Sequence, residues 1–171
     1  MRRRVARNRL ERMPRRLRSF DGLSERNKES LFMIQNTLPI RVRYADTDKM
    51  GVSYYANYFK WFEAGRTEML RDTGLPYAEI EKEGVALPVT EAHCKYRKPA
   101  RYDELIRVIS RLKEFPRASL RIDYEVFNET GELIAEGYTM HAFINAAGKP
   151  VKPPRIFLET LRRFFSDTSR G

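Results

Sequence analysis

From Pro39 onward the apolar residues follow two rhythms, and the switch between them sketches a fold. Ile40, Val42 and Tyr44 alternate with polar neighbours, the signature of a half-buried strand. Over 54–73 the spacing becomes helical. Tyr58, Phe59, Phe62, Met69 and Leu70 share one stripe with Gly65, and Gly74 supplies the stop. A glycine inside a helix costs about 1 kcal/mol of propensity, but it lets a sheet approach the helix closely. Residues 76–82 predict a second, short helix ending at Gly84. The period then falls to two. Strands are expected over 86–97, over 104–114, around Leu120, Ile122, Tyr124 and Val126, and over 133–145 after a turn at 129–131. Residues 153–165 close the pattern as an amphipathic helix.

A strand, a long helix, a short helix and four long strands predict an α+β domain. Four successive strands with short turns point to an antiparallel meander, here a five-stranded sheet curled around one long helix. A single helix covers one sheet face, so an outer face or an edge strand is left for another subunit. A homo-oligomer, dimer or tetramer, is the expectation.

Composition narrows the class. The 171 residues, 42% hydrophobic and 12% aromatic, suffice for one domain with a real core. No stretch has the apolar length of a membrane span. Cys94 is the only cysteine, so no internal disulfide forms, which fits a reducing compartment and a cytoplasmic location. The net charge of +10 is unevenly placed. Residues 1–38 carry eleven Arg/Lys against four Asp/Glu, whereas the other 133 carry twenty-two against nineteen. The basicity belongs to the tail, and a nucleic-acid-binding face on the domain is not indicated. Residues 1–38 read as a basic disordered tail or, with Met33 as the true start, as a mis-assigned beginning. A transit peptide or an arm for a membrane surface or nucleic acid is the other reading. The domain is assigned to 39–152, with a C-terminal helix of the same domain in 153–171.

The richest chemistry lies between Tyr44 and Tyr58. Asp46 and Asp48 sit where the first strand gives way, through Gly51, to the start of the long helix. Free backbone N–H groups and the positive end of the helix dipole are available there, which suits attack on a carbonyl whose oxygen becomes negative. The plainer reading is that both aspartates shape a turn and cap the helix.

Tyr44, Asp46, Asp48, Gly51, Tyr55 and Tyr58, with Ser53 where the pattern has valine, resemble the hotdog-fold thioesterases of the 4-hydroxybenzoyl-CoA thioesterase-like family. The segments 62–70 and 96–104 resemble that family's helix and its strand–bend–strand element, and the likeness spans about 39–152. The branch it is most similar to is the short bacterial acyl-CoA thioesterases associated with the Tol–Pal system. The resemblance implies a cofactor-free thioesterase acting on acyl-CoA, with acyl carrier protein thioesters as further substrates. It makes Asp48 the catalytic carboxylate, as nucleophile or general base, and the backbone N–H at Tyr55 the oxyanion donor. Asp46 is then a structural hydrogen-bonding group. Other hotdog branches place a catalytic Glu on the long helix, which makes Glu63 a candidate auxiliary. The alternative is a buried Glu63 paired with Arg66. Lys98, Arg101 and Arg117, at strand ends, are the candidate contacts for the phosphates of coenzyme A.

Other chemistries fit poorly. Cys94 and His93 are adjacent on a strand and point to opposite faces, so they cannot pair within one chain. The two histidines, His93 and His141, lack metal-ligand spacing, and neither a Gly-x-Ser-x-Gly elbow nor a phosphate loop is present. The rival from another class is a non-catalytic acyl-CoA sensor or scaffold whose basic tail contacts nucleic acid or a membrane.

Overall fold

A computed structural model of the chain describes residues 33–165, and the basic segment 1–32 lies outside them. The elements run β1 (Ile34–Arg41), α1 (Asn57–Asp72), α2 (Tyr77–Lys82), β2 (Val85–Ala86), β3 (Val89–Tyr96), β4 (Leu105–Leu112), β5 (Ser119–Phe127), β6 (Leu133–Ala142), β7 (Ile144–Asn145) and α3 (Arg155–Phe165). Five strands form one antiparallel sheet in the order β1-β4-β5-β6-β3, with α1 against its inner face. The alternating strands and single long helix predict a sheet around one helix, and the resemblance implies this hotdog arrangement of it.

Packing explains why α1 sits where it does. Its buried face presents Tyr58, Phe62, Met69 and Leu70, and Phe62 stacks flat on Tyr124 of β5 at 4.3 Å. Gly65 lies against β4, where an added Cβ would stand 2.4 Å from Ser110 Oγ and 3.2 Å from Val108 Cγ1. The glycine on the helical stripe therefore allows the close approach expected of it. Trp61, not placed on the stripe from the sequence, is buried as well and packs 4.6 Å from Tyr58.

Three features depart from the sequence reading. The first strand starts at Ile34, within the segment assigned to the tail, and ends before Val42. Pro39 sits inside it, opposite Arg107, and this is tolerated because β1 is an edge strand that needs few ladder donors. Tyr44 belongs to a single 3-10 turn, Tyr44–Asp46, and is exposed. The expected strands over 86–97 and 133–145 each break, giving the small β2–β7 pair beside the main sheet.

The meander is also partial. β4, β5 and β6 follow one another, but β3 pairs with β6, so 97–104 crosses from the β3 edge to β4, the strand beside the opposite edge. Arg97 and Lys98 donate their N–H groups to Ile134 O, Ser53 N–H donates to Ala100 O at 2.8 Å, and Val42 N–H donates to Glu104 O at 3.0 Å. Asp103, at φ +65°, makes the final turn. This crossing carries the chain past the N-terminal end of α1, where the candidate site lies.

Candidate active site

The loop after β1 divides its two aspartates between different tasks. Asp46 is buried, and Arg43 surrounds its carboxylate: the backbone N–H reaches Oδ2 at 3.0 Å and Nη2 reaches Oδ1 at 3.1 Å. Burial alone would raise this carboxyl, but the Arg43 hydrogen bonds and charge outweigh it and hold the group below its usual range. The Asp46 carbonyl also accepts from Tyr54 N–H at 2.9 Å and from Asn57 Nδ2 at 2.7 Å, tying the loop to the start of α1.

Asp48 opens a tight turn. Its N–H donates to Val52 O, Gly51 N–H returns to its carbonyl, and Gly51 takes φ +71°. Met50 N–H donates to Asp48 Oδ1 at 2.8 Å, which fixes the carboxylate in an Asx-type turn. Among the described residues nothing donates to Oδ2. The half-buried Asp48 lines a cleft of about 330 Å³ together with Tyr55, Tyr58, Tyr96, Lys98 and Pro99.

The aromatic wall is itself a network. Tyr96 donates its hydroxyl to Tyr55 O at 3.1 Å, and its ring meets Tyr58 edge-on at 5.0 Å. Tyr58 Oη accepts from Ala100 N–H at 3.2 Å, so the crossing segment is pinned to the helix. Burial raises the Tyr58 and Tyr96 phenols, which stay neutral and act as hydrogen-bonding groups. Tyr55 precedes the first regular turn of α1, and among the described residues its backbone N–H has no acceptor. A carboxylate oxygen without a donor and a backbone donor without an acceptor thus line one cleft at a helix start. Such a pair can attack, or activate water toward, a carbonyl while receiving its oxygen.

The profile of the thioesterase-like superfamily matches residues 42–162. The chain belongs to the thioesterase-like superfamily. YneP of Bacillus subtilis, provisionally named an acyl-CoA thioesterase, is 35% identical over 119 residues, covering 69% of this chain and 86% of YneP. The acyl-CoA thioester hydrolase YbgC of Escherichia coli O6:H1 is 34% identical over 98 residues, 57% of this chain and 73% of that protein. The DHNA-CoA thioesterase of Staphylococcus aureus has a solved structure with a TM-score of 0.67 at 36% identity, covering 78% of this chain and 85% of that one.

The thioesterase-like domain brings some of the sequence-marked residues together and separates others. Asp48, Tyr55 and Lys98 share the cleft, with Lys98 Nζ paired to Glu132. Arg101 is exposed within the crossing segment, where its backbone N–H donates to Glu104 Oε2 at 3.0 Å and its carbonyl accepts from Glu104 N–H at 3.2 Å. Arg117 lies elsewhere, with Lys113 and Arg121 along a cleft of about 780 Å³ at the β4–β5 turn.

Glu63 requires a correction. It is exposed on α1 and lines a third cleft, neither buried nor paired with Arg66. Arg66 turns instead to His141, its Nη1 lying 3.1 Å from Nε2. Cys94 is half-buried, and burial pushes its thiol up to about 11, which leaves it unsuited to attack. No three His, Cys, Asp or Glu side chains among the described residues are grouped to hold a metal ion.

Sequence reasoning missed Asn57 and Tyr96. Asn57 could have been found as a polar residue at the first turn of a helix, a position that often bonds back to the preceding loop. Tyr96 had no local signal, because its role depends on β3 lying across the sheet from β4.

Proposed function

We propose that the protein hydrolyses acyl-CoA thioesters to the free acid and coenzyme A. The observation that carries this reading is that, among the described residues, one Asp48 oxygen without a donor shares a cleft with the acceptor-free Tyr55 N–H. Asp48 either attacks the thioester carbon, giving a mixed anhydride and expelling the thiolate, or takes a proton from the water that attacks. Water supplies the hydroxyl of the acid on both routes, and the thiolate leaves with a proton as free coenzyme A. The Tyr55 N–H, at the positive end of α1, receives the carbonyl oxygen as it turns negative. Relatives named acyl-CoA thioester hydrolase and DHNA-CoA thioesterase support this choice of substrate class. Acyl carrier protein thioesters present the same reacting bond and form a second arm of the assay.

Lys98 and Arg101, near the cleft mouth, serve the phosphates of coenzyme A in this reading. Arg117 joins them only in an assembly that brings a second copy's β4–β5 turn to the mouth. Such an assembly is part of the proposal: β3 is an edge strand with seven of its eight residues exposed, open to pairing with another copy.

A thiol-release assay over short, long and aromatic acyl-CoAs tests the reading. Turnover of at least one substrate, lost in Asp48→Asn with an unchanged fold, is the expected result. No release by the parent protein, or full activity in Asp48→Asn, overturns it.

A further inference from the structure

The backbone of Tyr55 is held on both sides of the N–H that the proposed reaction uses. The carbonyl of the peptide that carries this N–H, Tyr54 O, accepts from Asn57 N–H at 2.9 Å. The next carbonyl, Tyr55 O, accepts from Tyr58 N–H at 3.3 Å and from the Tyr96 hydroxyl at 3.1 Å. Asn57 and Tyr58 belong to the helix start itself. Tyr96 reaches in from β3, 41 residues along the chain.

The packing of the Tyr96 ring does not need that hydroxyl. The ring meets Tyr58 at 5.0 Å and Tyr55 at 6.4 Å, both edge-on, and a phenylalanine would make the same contacts. Its backbone is anchored in register with Ala135 of β6, and the next two N–H groups, of Arg97 and Lys98, donate to Ile134 O. A ring on so fixed a base carries its hydroxyl to one place. Burial, then the Cys94 thiol and the Tyr58 and Tyr55 phenols, keeps the proton on that oxygen, so the group is a standing donor. The bond is made within one chain, on the α1 side of the sheet, and needs no open edge.

A peptide unit turns as a rigid plate about the Cα atoms that flank it. With Tyr54 O and Tyr55 O both tied, the torsions at Tyr55 are restrained and its N–H keeps one direction. Without Tyr96 the second tie is the longer Tyr58 bond alone, in the first turn of a helix, where backbone groups lack intrahelical partners. A donor stabilises a developing charge most when it is aimed before the charge appears.

We infer that Tyr96 is a positioning residue, whose hydroxyl holds Tyr55 O and so keeps the Tyr55 N–H directed at the developing oxyanion. The inference rests on the reading of that N–H as the oxyanion donor. Because the carbonyl oxygen becomes negative only on the way to the transition state, the contribution of Tyr96 belongs to kcat and not to KM.

The test compares the full chain, Tyr96→Phe and Tyr102→Phe, the last altering an exposed tyrosine of the crossing segment. Thiol release is measured on the acyl-CoA that the parent turns over best. Tyr96→Phe is expected to melt as the parent does and to lose about threefold to tenfold in kcat, with KM within about twofold. The pH profile of kcat should keep its shape, and Tyr102→Phe should match the parent. Without substrate, the carbonyl carbon resonance of Tyr55 should move in Tyr96→Phe and stay in Tyr102→Phe. An unchanged kcat, a rise in KM alone, a lost limb of the pH profile or an unmoved Tyr55 resonance each overturns the inference. With an active parent, those outcomes leave the thioesterase reading standing. A parent that releases no thiol from any acyl-CoA overturns both.

Discussion

Asp46 and Asp48 are two residues apart, yet they belong to opposite regimes of the same loop. Around Asp46 every polar group has found a partner: Arg43 takes the carboxylate, and Tyr54 and Asn57 take the carbonyl. Around Asp48 the turn is just as well formed, but among the described residues one carboxylate oxygen and the nearby Tyr55 N–H remain without partners. The difference teaches that rigidity and reactivity are built from one set of bonds. The closed half holds the loop against α1 so that the open half can keep unsatisfied groups in register.

The largest effect that would break this division is on turnover. Asp48→Asn should lower thiol release by about 10²–10⁴-fold with little change in melting temperature. If Asp46→Asn, still folded, loses as much turnover, the division of labour is wrong. A second closed region, around His141, sharpens the comparison through pH. Burial and the Arg66 guanidinium push the imidazole down to about 4, against 6.5 in the unfolded chain. The unfolded state therefore binds the proton first. Stability from this group is unaffected above pH 6.5 and falls as pH drops from 6.5 to 4, by up to about 3 kcal/mol. Urea unfolding at pH 7 and pH 4.5 should show a shallower loss in His141→Gln than in the parent. Next comes Asp46→Asn itself, expected to cost about 1–2 kcal/mol at neutral pH by denaturant titration. That contribution fades in the parent as acid protonates Asp46, whose carboxyl is held below its ordinary range. The smallest effect belongs to Ser110→Ala. Ser110 Oγ is buried without a partner among the described residues, so removing it should be neutral or slightly stabilising, within about 0.5 kcal/mol.

Much of this was legible in the sequence because periodicity reports burial. The stripe from Tyr58 to Leu70, the close approach at Gly65 and the strands β4 to β6 follow from which side chains must leave water. β1 was only partly legible, since an edge strand carrying Gln35, Asn36 and Pro39 shows little apolar alternation. The strand order was not legible, because β3 and β4 are equally good neighbours until 97–104 is seen to cross the sheet. At the site, Asp48 stood out through its setting beside Gly51 and the tyrosines. The pairing of Arg66 with His141 was hidden, since the two are 75 residues apart and nothing local joins them. Glu63 at helical spacing from Arg66 offered a partner that the fold does not use.

The seam between β3 and β6 sets a limit on variation in this chain. A Cβ on Gly137 would stand 2.1 Å from the His93 carbonyl oxygen, 3.0 Å from Phe62 and 3.1 Å from Cys94 Cα. Two of those three neighbours are backbone, which cannot rotate away. In a saturation-mutagenesis library selected for folded protein, position 137 should therefore be among the least permissive, while its strand neighbours Glu136 and Tyr138 accept many replacements. The edge strand β3 is tethered to the sheet at a point where no side chain fits.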